Sequence, residues 1–133
     1  MNWKIIFQLS LFGLIMAIAT ISLIPTKIEP AFWLVIFVFC AYVIAKVCPG
    51  KYFLHGFFVS LVNCVWIITA HVLFSKTYVA NHLEMATAMP GTLAQHPRIG
   101  MLVTGPVVGI ISGIVLGLFS YLFSLIVKKK PVV

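Results

Sequence analysis

The stretch GPVVGIISGIVLG, residues 105–117, decides the fold of this chain. An α-helix turns once in 3.6 residues, so glycines four apart lie along one row that drifts by about 40° per step. Gly105, Gly109, Gly113 and Gly117 form that row, with Ser112, Ser120 and Ser124 on or beside it. A strip of small residues lets a second helix approach to backbone contact. Helices associate this way in lipid, where the tails around them are as apolar as leucine. Gly105, Gly109, Ser112, Gly113 and Gly117 are therefore read as a helix-packing face. Leu116, off the row, is expected to tolerate truncation. The partner is left open: a helix of the same chain, a second copy forming a homo-oligomer, or another membrane protein.

The segment carrying this row runs over about residues 97–127. Pro97 suits a first helical turn, and Lys128, Lys129 and Lys130 close the segment. Pro106 lacks an N–H, which withdraws one backbone bond and frees the carbonyl of residue 102. Three further apolar segments precede it, at about residues 3–24, 30–47 and 52–75. Each is close to the roughly 20 residues that span a hydrocarbon core. Pro25, the Pro49-Gly50 pair and the Pro90-Gly91 pair break the chain between helices. The N-terminus carries a basic start and an Ala17-Ile18-Ala19 stretch resembling a leader cleavage site. Its apolar run continues past that point, so a retained helix is expected.

Composition agrees. The chain has 133 residues, 62% hydrophobic and 8% charged, where a water-soluble domain carries about a quarter charged residues. The expected fold is all-α: one integral membrane bundle of four transmembrane helices with antiparallel neighbours and a glycine-rich fourth helix. Residues 76–96 form an outer loop or an interfacial helix. The net charge of +7 is no nucleic-acid signal, because its lysines sit at segment ends instead of in a basic patch with aromatics. Membrane lipids are the expected surroundings.

Orientation follows from the same lysines. Lys4, Lys46, Lys51, Lys128, Lys129 and Lys130 fall on one side of a four-span bundle. Lys27, Lys76 and Arg98 fall on the other, offset by Glu29 and Glu84. The positive-inside rule then makes both termini cytoplasmic, in a bacterial-type inner membrane or a plasma membrane.

Polar residues inside spans are costly and normally face protein or water. At about 100° per residue, Ser60, Asn63, Cys64, His71, Ser75, Tyr78 and His82 share one edge of the third segment. Segment two, apolar all round, has no such edge. The polar edge is read as the wall of a cavity, with Ser60, Asn63, His71, Ser75, Tyr78 and His82 as binding residues. The competing reading is helix-to-helix hydrogen bonding. His55 lies at the opposite end of the segment, where an interfacial position is expected.

Other chemistry finds little support. His71 and His82 lie about 16 Å apart along a helix axis, and no metal-ligand spacing occurs, so neither metal nor cofactor is expected. The chain has no aspartate and two glutamates, which leaves a catalytic triad or carboxylate pair without members. The three cysteines form no CxxC. The favoured function is a solute- or ion-handling, transport-like membrane protein without catalytic residues. The alternatives are a membrane assembly or scaffold protein joined through the glycine strip, and a lipid-directed enzyme at the outer interface using His71, His82, Glu84 and Arg98.

Overall fold

A computed structural model of the chain describes residues 1–23, 27–81 and 95–127. It is all-helical, with no strand among the described residues. The elements are α1 (Trp3–Ser22), α2 (Glu29–Val47), α3 (Tyr52–Leu73), α4 (Ser75–Asn81) and α5 (Pro97–Ile126). Four of them, α1, α2, α3 and α5, are long and apolar enough to cross a membrane. This is a membrane protein by its helices: apart from the gap at Pro106 in the last one, each forms its backbone hydrogen bonds within its own segment, the condition a spanning segment must meet in hydrocarbon.

The helix ends follow the local sequence. Asn2 caps α1, its side-chain oxygen accepting from the N–H of Ile5 at 3.3 Å. Glu29 and Pro30 open α2, an acid and a proline in the first turn, where the dipole favours one and the missing N–H suits the other. Lys51 precedes α3 in the left-handed region, with φ 52°. Its carbonyl accepts from both the backbone N–H and Nδ1 of His55, at 3.0 and 2.8 Å. Helix α3 stops at Leu73, and α4 restarts at Ser75. The expected continuation past residue 81 lies outside the described residues.

Helix α5 lies along α3, and the glycine row is the seam. Gly105 meets Ile68, Gly109 meets Cys64, Gly113 meets Phe57 and Gly117 meets Phe53. From α3, Gly56 returns the favour: a methyl there would stand 2.7 Å from the Leu116 carbonyl oxygen and 2.9 Å from Gly117 Cα. Two α3 side chains reach carbonyls along the row, Ser60 Oγ donating to Gly109 O at 3.4 Å and Cys64 Sγ to Gly105 O at 3.1 Å. The row's neighbours are thus residues of the same chain. Ser120 is buried on this seam, whereas Ser112 lines a cavity beside it.

Helix α1 packs on another face of α3. Aromatic pairs Trp3–Phe58 and Phe7–Trp66 meet at ring-centre distances of 5.4 and 6.1 Å. Trp66 Nε1 donates to Ser10 Oγ at 3.3 Å. The main core draws on all four long helices: Ile6 and Leu9, Cys40 and Ile44, Val59, and Leu116. Leu116 is 0% exposed, so the expectation of a mild truncation there is corrected. The side chain lies off the glycine row but points into the core. Apolar residues on the outer face of α5, among them Val103, Val107, Ile110 and Ile111, stay exposed, as lipid-facing positions should.

Candidate functional site

Beside the α3–α5 seam, α2, α3 and α5 line a half-open cavity of about 460 Å³. That falls within the roughly 300–1,000 Å³ of small-molecule sites. Met101 and Ser112 both line it, eleven residues apart on α5, so it runs for about 16 Å along the bundle at 1.5 Å per residue. On α3 its lining likewise extends from Ser60 to His71. Most of the wall is apolar, built from Trp33, Phe37, Ile67, Ile68 and Val108. Its polar members are few: Glu29 at one end, His71 and Thr104, then Asn63, Cys64, Ser60 and Ser112 farther in.

Asn63 is the unusual member. It is 2% exposed, and neither Nδ2 nor Oδ1 has a hydrogen-bond partner. The space its side chain occupies exists because residue 13 of α1 is glycine. A methyl at Gly13 would stand 2.6 Å from Asn63 Cγ and would run into Oδ1. A buried amide left unpaired costs about 1–3 kcal/mol, and such groups are rare enough to need a reason.

The other residues of the predicted polar edge go to different neighbours. His71 is 8% exposed, and its Nε2 lies 3.0 Å from Thr20 Oγ1 on α1. Thr20 donates its own proton to Ala17 O at 3.3 Å. Ser60 and Cys64 bond to α5 carbonyls while also bordering the cavity. Ser75 is buried, but as the acceptor for Arg98 Nε at 3.2 Å, and it is not among the lining residues. Tyr78 belongs to α4. His82 and Glu84 lie outside the described residues.

His55, in the first turn of α3, is 2% exposed; Nδ1 donates to Lys51 O, and Nε2 accepts from the Asn2 backbone N–H at 3.0 Å. The ring ties the start of α1 to the start of α3.

Glu29 and Trp33 line the cavity as well, from the helix whose sequence offered no polar edge. Trp33 Nε1 donates to Glu29 Oε1 at 3.2 Å. Their spacing of four, one helical turn, was the available signal. Gly13 carried a weaker one, since a glycine in mid-span marks a close approach. Among the described residues, no three His, Cys, Asp or Glu side chains gather as a metal would need. The chemistry on offer in the apolar wall is one carboxylate, one imidazole, one thiol and a few hydroxyls. Compared with protein-family models, curated proteins and solved structures, the chain matches none.

Proposed function

We propose that this protein is a solute-handling membrane bundle that holds a small, largely apolar molecule between α2, α3 and α5. The observation that carries this reading is the cavity itself, about 460 Å³ with an apolar wall and a few polar side chains, Thr104, His71 and Ser112 among them. A solute hydroxyl, carbonyl or amine would find hydrogen-bonding groups there. The apolar wall supplies the rest of the affinity. The assembly reading is less favoured, because the glycine row that would join another chain is already met by Ile68, Cys64, Phe57 and Phe53 of α3.

The test is saturable binding of radiolabelled dodecanol to the protein in nanodiscs, measured by equilibrium dialysis against empty nanodiscs. About one molecule per protein should bind in excess of the empty discs. Val108→Trp, which fills the cavity from an exposed position of α5, should remove that excess. Uptake equal to that of empty discs would end the solute-handling reading.

In this reading the four spans are antiparallel to their sequence neighbours and both termini are cytoplasmic. Lysine placement supports it, since Lys4, Lys46 and Lys51 cluster at one end. The cavity end bearing Glu29, His71 and Met101 then faces outward. Single cysteines replacing Lys27, Lys51 and His96, in a chain without its native thiols, report this on intact cells with an impermeant thiol reagent. Positions 27 and 96 should label and 51 should not. The reverse pattern would turn the bundle over.

A further inference from the structure

Resting on the reading that the cavity holds a solute, we propose that this solute is an organic cation: an apolar body whose ammonium group sits against Glu29 and Trp33. The chain has two acidic side chains against nine lysines and arginines, and one of the two stands in the cavity wall. Glu29 is half-buried. One of its oxygens takes the indole proton of Trp33, and among the described residues no cationic side chain pairs with it. An ionised carboxylate has room for about four hydrogen bonds, so most of its capacity remains.

Filling the cavity decides the sign of the solute. A neutral occupant would strip water from Glu29 and leave a buried charge unpaired, which is costly. An anion would add repulsion. An ammonium pairs the charge. The Trp33 indole, hydrogen-bonded to the same carboxylate, adds an aromatic surface of the kind that attracts cations. Arg98, near the same end of the bundle, donates to Ser75 Oγ and does not line the cavity. Farther in, the Ser112 hydroxyl lines the cavity eleven residues beyond Met101, about 16 Å along α5. A molecule with an ammonium at one end and a hydrogen-bonding group at the other matches Glu29 and Ser112.

The probes are ω-aminododecanol, dodecanediol and ω-hydroxydodecanoate, which share a chain and a hydroxyl and differ in the second end group. Binding is measured by equilibrium dialysis on the full chain in phosphatidylglycerol nanodiscs, against empty discs. The amine should bind about tenfold tighter than the diol. Glu29→Gln, which keeps an acceptor for Trp33, should erase that difference. Adding phosphatidylethanolamine identifies the source: competition with the amine points to a lipid ammonium, and its absence points to a free amine. Equal binding of amine and diol, tighter binding of the carboxylate, or a Glu29→Gln variant that keeps the preference would overturn the inference. The solute-handling reading survives those results if Val108→Trp still blocks the diol. Failure of all three probes to bind saturably removes both.

Discussion

Leucine at Gly109 or Gly113 prevents α5 from seating on α3, and the folded bundle is lost or severely weakened. At Gly109 the first added carbon would already stand 2.6 Å from Cys64 Sγ. At Gly113 it would stand 2.8 Å from Phe57 Cδ2 and 3.3 Å from the Phe57 carbonyl oxygen. A leucine brings three more carbons into the same space. Overpacking by a few methylenes costs about 1–3 kcal/mol in a well-packed core. Here the obstacle includes backbone, so the helices must separate. Separation forfeits the van der Waals contact that holds helices together in lipid, along with the Ser60 and Cys64 bonds to α5 carbonyls. Thermal unfolding in detergent is the measurement. Gly113→Leu should melt far below the parent, and Gly109→Ala should also lower the melting temperature, since its methyl would stand 2.8 Å from Cys64 Cβ as well as 2.6 Å from Sγ. Leu116→Ala belongs with the damaging changes, at about 2–5 kcal/mol for a buried leucine. Val107→Ala, on the exposed face, is the neutral control. A Gly113→Leu protein that melts with the parent would show that the seam is not where stability resides.

Asn63→Leu gives the second large effect, a gain in stability. Leucine has nearly the shape of asparagine and removes two buried polar atoms that have no partner. Each unpaired group costs about 1–3 kcal/mol, so the variant should melt above the parent. Bound dodecanol should stay near the parent level, because the amide faces Gly13 of α1 and not the cavity. Gly13→Ala probes the same place from α1. Its methyl runs into the amide and should cost about 1–3 kcal/mol as an overpacked contact. Asn63→Ala should relieve most of that cost in the double variant, since residues in contact are energetically coupled. A drop in stability for Asn63→Leu would mean that the amide is needed by the fold.

The two effects differ in how far the sequence foretold them. The glycine row is visible as a period of four, and its need for close approach follows from the absence of side chains. The Asn63–Gly13 contact is not visible, because fifty residues separate its members and nothing in either segment names the other. The polar edge of α3 was legible as an edge, but its residues divide among neighbours: Ser60 and Cys64 toward α5, His71 toward Thr20 of α1, Ser75 toward Arg98. An angle around a helix states which residues point together, and says nothing of what stands opposite. Leu116 shows the same gap, being off the row yet fully buried.

By itself, then, the sequence determined the four spans, because a transmembrane helix satisfies its hydrogen bonds within its own segment and needs only length and apolar side chains. It also determined that the last span has one bare side. Tertiary structure alone decided what covers that side, since a strip without side chains admits any helix, and the choice depends on Phe53, Gly56, Phe57, Cys64 and Ile68 fitting it together. Tertiary structure alone also placed Glu29 and Trp33 in the cavity wall. A helix apolar on every face has no inward side until its neighbours supply one.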